Sequence, residues 1–188
     1  MVAAGSGTRC GLEIPKQYMR LGGKKMMQHG LDRLATLFPS ARMVVVHHPG
    51  YPHEEEVVSY PFPSILPVWV VGGANRQASV KAGLDALQGQ GITHILIHDA
   101  ARPFVDAATC YRLLEALVQH RVVIPVLAIA DTVKRVEDGV VQQTLNRNEL
   151  VTVQTPQAFE YGMLCAVHEQ AIREEWGNAT DDAALCER

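Results

Sequence analysis

Short runs of β-branched residues alternate with longer stretches of helical periodicity along this chain. Met43-Val44-Val45-Val46, Val68-Trp69-Val70-Val71, Ile95-Leu96-Ile97 and Val122-Val123-Ile124-Pro125-Val126-Leu127 read as strands buried on both faces, the pattern of a mostly parallel sheet. Between them, Met27, Leu31, Leu34, Ala35 and Phe38 form one helical stripe. Val80, Leu84 and Leu87 form a second, and Cys110, Leu113, Leu114 and Leu117 a third, with Asp106 placed to cap its N-terminus. This alternation predicts an α/β three-layer sandwich with right-handed crossovers. From Ala130 to Gln157 the pattern changes: Asp131 to Arg135, a turn at Asp138-Gly139, and Val140 to Leu145 predict a projecting β-hairpin arm. An arm too small for its own core usually packs on a partner.

The 188 residues are 47% apolar, enough for one substantial core, so residues 1–188 read as a single domain. With 17 basic and 20 acidic residues the net charge is −3, which argues against a general nucleic-acid binder but leaves room for a small phosphorylated substrate. Cys10, Cys110, Cys165 and Cys186 are scattered without a Cys-x-x-Cys pair, signalling neither a disulfide framework nor a zinc site and suggesting the reducing cytoplasm. The longest uncharged run, Ser59 to Asn75, holds Pro61, Pro63 and Pro67, so no membrane helix is expected. Only Met1-Val2 precedes the first loop, where a buried strand is expected, and the sequence ends abruptly at Leu185-Cys186-Glu187-Arg188. It therefore reads as a fragment, shortened at its first strand and its C-terminal segment.

The chemistry gathers at the start. In Ala3-Ala4-Gly5-Ser6-Gly7-Thr8-Arg9, followed by Pro15-Lys16-Gln17-Tyr18, glycines let backbone N–H groups approach a phosphate chain, while Arg9 and Lys16 bring fixed positive charge. The third glycine, Gly11, falls too late for a dinucleotide fingerprint, and no Gly-Lys-Ser or Gly-Lys-Thr follows for a P-loop. A merely structural glycine turn is the alternative. In open α/β sheets ligands bind beyond the carboxyl ends of strands. Gly72-Gly73-Ala74-Asn75-Arg76-Gln77-Ala78-Ser79 and His98-Asp99-Ala100-Ala101-Arg102-Pro103 each follow a predicted strand, so both belong on the same rim as the first loop. His98 reads as orienting its loop. His47-His48 and His53 read as a structural or solvated cluster rather than a metal site, and Glu54-Glu55-Glu56 as a solvated helix start.

The rim motifs occur in order with Asp131-Thr132-Val133-Lys134, Asn146-Arg147 and Gln154-Thr155-Pro156-Gln157. Together the series resembles the 2-C-methyl-D-erythritol 4-phosphate cytidylyltransferase family, from Val2 to Thr180-Asp181-Asp182. The resemblance implies a Rossmann-like nucleotidyltransferase fold and cytidylyl transfer from CTP to methylerythritol phosphate, with Arg9 and Lys16 as catalytic residues. It implies nucleotide binding by Ala3, Ala4, Gly5, Gly7, Gly73, Ala74, Arg76, Ser79, Asp99 and Ala100, and substrate binding by Thr132, Arg147 and Thr155. Mg2+ would be held mainly by the CTP phosphates, with Asp99 able to approach it; the alternative is that Asp99 and Arg102 pair to brace the loop. The arm would reach into the partner subunit of a homodimer, and another lysine would follow Arg188. The phrasing around Val2-Ala3-Ala4-Gly5 and Arg76-Gln77-Ala78-Ser79-Val80 also resembles the form fused to a cyclodiphosphate synthase domain. The competing readings are a cytidylyltransferase for another polyol phosphate, such as ribitol 5-phosphate, and a catalytically silent nucleotide-binding or assembly module.

Overall fold

The computed structural model describes residues 1–7, 11, 14–51, 66–177 and 179–188. Its central sheet takes in β1 (Val2–Ala3), β4 (Val44–His47), β5 (Val68–Val71), β6 (His94–Ile97), β7 (Val122–Val123) and β12 (Gln157–Glu160). The strands lie in the order β5, β4, β1, β6, β12, β7. β5, β4 and β1 pair in parallel. β1 reaches β6 through a parallel bridge of Val2 to Asp99, where the Val2 amide donates to His98 O at 2.8 Å and the Ala100 amide to Val2 O at 3.0 Å. β12 runs antiparallel to both neighbours, the exception within the mostly parallel sheet. The chain leaves the carboxyl end of β7 into the arm and re-enters from that same end, so β12 has to descend.

Helices α1 (Met26–Leu37), α2 (Arg76–Asp85), α3 (Ala107–Ala116) and α4 (Tyr161–Arg173) cover the two faces. Period-two alternation sorts them. On β4, Val45 packs with Met27, Leu31 and Ala35 of α1, while Val44 and Val46 turn to the opposite face and Leu87. There Gly83 permits close approach of α2, since a Cβ would stand 2.8 Å from Val46 Cγ2. On β12, Ala158 packs with Leu113 and Leu117, and Phe159 with Val80, Leu84 and Leu164. α1 and α3 thus lie on one side and α2 and α4 on the other, the expected three layers. Asp106 does cap α3, accepting from the Thr109 amide at 2.7 Å.

Three expectations need correction. β5 is not buried on both faces: it is an edge strand, and Val68 and Val71 are 48% and 54% exposed. The segment Val122 to Leu127 is not one strand, because Pro125 has no N–H to continue a ladder. It divides into β7 and β8 (Val126–Ala128), and β8 leaves the sheet to pair antiparallel with β11 (Val151–Val153). The projecting ladder accordingly starts at Val126, ahead of Ala130, and Gln157 belongs to the buried sheet.

Beyond β8 and β11 the arm ends in the expected hairpin of β9 (Lys134–Glu137) and β10 (Val140–Thr144). Asp138 and Gly139 both take positive φ, 49° and 77°, the backbone that a twisted two-residue turn requires. The remaining short elements are β2 (Arg20–Leu21) paired with β3 (Lys24–Lys25), α5 (Ala183–Cys186) against α4, and single 3-10 turns at Lys16–Tyr18 and Arg147–Glu149. A half-open cleft of about 600 Å3, lined by Leu84, Leu87, Ile95 and Leu114 together with exposed Ser40, Arg42 and Gln90, takes in none of the expected charged site residues. Among the described residues no helix is long and apolar enough to cross a membrane.

Candidate active site

The loops after β1, β5 and β6 meet at the carboxyl end of the sheet. The first is clamped from below by the turn Lys16–Tyr18. Buried Gln17 donates from Nε2 to the carbonyls of Ala3 (2.8 Å) and Gly5 (2.6 Å). Tyr18 donates its hydroxyl to Ala3 O at 3.0 Å and accepts the His48 amide at 3.0 Å. Burial raises the Tyr18 pKa above the usual phenol value, which keeps that hydroxyl a donor. Gly7, at φ 71°, passes so close that a Cβ would stand 3.0 Å from Pro15 Cα. Lys16 is thereby presented, exposed, beside the Gly5 to Gly7 turn. Arg9 lies outside the described residues.

The second loop touches the first. A Cβ on Gly72 would lie 2.3 Å from the Cβ of Ala4, so only glycine lets the two loops close. Ser79 is buried, and its hydroxyl donates to Asn75 O at 2.8 Å while accepting the Gly73 amide at 3.1 Å. Its role in the structure is to set the shape of the Gly73-Ala74-Asn75 turn. Asn75 caps α2 by accepting the Ala78 amide at 2.8 Å, and Arg76 follows as the first residue of that helix.

The third loop is held by a hydrogen-bond chain through His98. His98 Nε2 lies 2.9 Å from Arg102 O, a pure acceptor, so that nitrogen carries the proton. Nδ1 then accepts the Thr155 hydroxyl at 3.0 Å, and the Thr155 oxygen accepts the Asp99 amide at 3.3 Å. Burial drives the His98 pKa down to about 4, which keeps the ring neutral and this donor pattern fixed. Asp99 is left half-exposed at the rim, 3.4 Å from Arg102 Nε and 3.9 Å from Arg76. Arg102 also donates to Gln154 Oε1.

Ala3, Ala4, Gly5, Gly7, Lys16, Gly73, Ala74, Arg76, Ser79, Asp99, Ala100 and Thr155 therefore gather at one rim. Ala3 and Ala100 turn their side chains into the core. Among the described residues no hydrogen bond or ion pair ties the side chains of Thr132 and Arg147 to that rim: both are exposed on the arm, where Arg147 donates to Ala130 O. The sequence reading gave no roles to Gln17 and Tyr18, although both stand within the Pro15-Lys16-Gln17-Tyr18 motif. It also missed the anchors behind Arg76. Buried Asp182 accepts from Arg76 at 2.7 Å and from buried His168 Nε2 at 3.1 Å, and Gln157 Nε2 donates to Asp181 at 2.7 Å.

The chain matches the family model described as "IspD: 2-C-methyl-D-erythritol 4-phosphate cytidylyltransferase" over residues 1–188. It belongs to that family. The bifunctional enzyme IspD/IspF of Paramagnetospirillum magneticum is 40% identical over all of this chain and 48% of the relative, and that of Granulibacter bethesdensis is 41% identical over all of this chain and 47% of the relative. The chain thus spans about half the length of the curated relatives it matches. Its fold superposes on the crystal structure of 2-C-methyl-D-erythritol 4-phosphate cytidylyltransferase from Thermus thermophilus with a TM-score of 0.78, at 29% identity, covering 99% of this chain and 81% of the other.

Proposed function

We propose that this protein transfers a cytidylyl group from CTP to 2-C-methyl-D-erythritol 4-phosphate. A phosphate oxygen of the alcohol phosphate forms a bond to the α-phosphorus of CTP, and the bond from that phosphorus to the bridging oxygen breaks, releasing pyrophosphate. The nucleophile is already anionic, so the protein's task is alignment and charge stabilisation. The observation that carries the reading is the convergence of the three loops, braced from behind by Gln17, Ser79 and His98 in a member of this family. The glycine turns present backbone groups to the nucleotide, with the Ala4, Gly73 and Ala74 region as the cytosine slot. Lys16, and Arg9 with it, stabilise the charge that builds on the phosphates in flight.

Asp99 offers one carboxylate flanked by two arginines, and no trio of His, Cys, Asp or Glu poised for a metal occurs among the described residues. That donor set suits Mg2+ carried in by the triphosphate, with Asp99 as a single protein ligand, rather than a dedicated cage. When bound, the ion offsets repulsion between the two anionic reactants.

The arm supports a homodimer with shared sites. Val136, Val140, Val141, Val151 and Leu127 expose between 51% and 61% of their surface, an apolar load that a second copy would cover. Arg147 and Thr132 then act on the partner's substrate, which fits their exposure on the arm of their own chain. The relatives named as bifunctional support reading the chain as the cytidylyltransferase half of a fusion, and its scattered cysteines support a place in the reducing cytoplasm. Pyrophosphate release from CTP, assayed with methylerythritol phosphate and ribitol 5-phosphate side by side, tests the reading. Turnover with methylerythritol phosphate and CTP, but weakly with ATP or GTP, is expected. Preference for ribitol 5-phosphate, or equal use of ATP, overturns the assignment, and no release with any pair favours a silent module.

A further inference from the structure

Arg76 opens α2, where the positive end of the helix dipole disfavours a cation, so its guanidinium depends on an acid for its position. Two acids compete. Asp182 accepts from it at 2.7 Å, whereas Asp99, which already accepts from Arg102 Nε at 3.4 Å, makes only a loose ion pair with it at 3.9 Å, beyond a hydrogen bond. Asp182 is itself fully buried, and a buried carboxylate is tolerated only when paired. Its second oxygen accepts Nε2 of His168, also fully buried, which turns the carboxylate so that Oδ2 faces Arg76. Residues from α4, the segment before α5 and the start of α2 thus meet behind the rim.

We infer that the buried His168 and Asp182 pair is a positioning device that draws the Arg76 cation away from a hydrogen bond with Asp99, leaving the remaining N–H groups of its guanidinium for an incoming nucleoside triphosphate. The inference rests on the nucleotidyl-transfer reading above for the identity of that ligand. Without Asp182, the nearest acid to Arg76 among the described residues is Asp99, and their loose ion pair would tighten into a hydrogen bond that ties up the guanidinium at the rim. Asp182 and His168 are positioning residues, since both lie behind Arg76 and away from the open face.

Asp182→Asn keeps the shape and removes the charge. In its crystal structure, Arg76 should close on Asp99 to hydrogen-bonding distance, and CTP affinity should fall about tenfold, the size of one charge-assisted hydrogen bond. Adding Arg76→Ala to Asp182→Asn should then cost less than about threefold more, because the two changes remove the same interaction. His168→Gln, which can still donate toward Asp182, should bind CTP nearly as the wild type does, while His168→Leu should follow Asp182→Asn. Should Asp182→Asn not fold, the two His168 variants carry the same comparison. Arg76 staying in place, or Arg76→Ala and Asp182→Asn effects that simply multiply, would overturn the inference and leave Asp182 a structural anchor. A wild-type protein without CTP turnover would instead sink the functional reading; the distance from Arg76 to Asp99 in the variant still decides the positioning role.

Discussion

The sheet body and the arm are built from similar residues under opposite rules. Every residue of β4 is buried, and its valines alternate between two helix layers. Every residue of β9 and β10 is exposed, valines included. In the body, side-chain burial decides register, because a slip by one residue would carry an apolar set to the wrong face. In the arm, register comes from ladder hydrogen bonds and from two turn residues at positive φ, so its apolar surface remains unspent within one chain. The difference assigns tasks: the body positions a site, and the arm is the part that reaches beyond it.

The most severe test separates the two regions by subunit. Lys16 belongs to the rim and Arg147 to the arm, and each is proposed to serve the same site from different copies. Lys16→Met and Arg147→Met should each lower kcat about a hundredfold or more, the usual cost of losing one preorganised charge at a transition state. Co-expressed and randomly paired, they should return about a quarter of all sites to full activity, since mixed dimers hold one doubly damaged site and one intact site. A mixture no more active than its parents, with mixed dimers demonstrated, would place Arg147 in its own subunit's chemistry or outside it.

How much of this was legible beforehand differs by region for a physical reason. The helix stripes Met27 to Phe38 and Val80 to Leu87 are apolar throughout and announce their faces. α4 escaped notice because its buried face, Leu164, His168 and Ala171, has a histidine at its centre that serves Asp182 rather than the apolar core. β12 is four residues long and opens on buried Gln157, whose amide is spent on Asp181. The rim loops were readable as glycine punctuation after strands. What braces them was not, since Gln17, Tyr18 and Asp182 act through contacts that are 14, 15 and 106 residues apart.

A smaller effect should appear in the body as a pH dependence. Unfolded His98 gains a proton below its ordinary value of 6.5, whereas folded His98 resists until about 4. Between those values the unfolded state binds more protons, so the contribution is whole above 6.5 and is lost as the pH falls toward 4. Its size is on the order of 3 kcal/mol. Urea midpoints between pH 7 and pH 4 in wild type and His98→Gln should diverge over that window, with the wild type losing more. Parallel curves would mean that His98 is already solvated or charged in the native state.

Two glycines bring the comparison down to single methyl groups. Gly72→Ala would drive a Cβ to 2.3 Å from Ala4 Cβ, and the loops must part. Overpacking of this kind costs roughly 1–3 kcal/mol, and CTP affinity should fall with it. Gly139→Ala meets open space, and only its φ of 77° resists, at about 1 kcal/mol. That strain sits in the arm, whose ladder is independent of the buried sheet, so the body's thermal midpoint at low protein concentration should hardly move. Sedimentation equilibrium should show a modest weakening of the proposed dimer, because the hairpin that presents Val140 and Val141 is less often formed. If Gly139→Ala lowered the midpoint of the body as much as Gly72→Ala does, the arm and the sheet would be one cooperative unit, and the division of labour between them would be wrong.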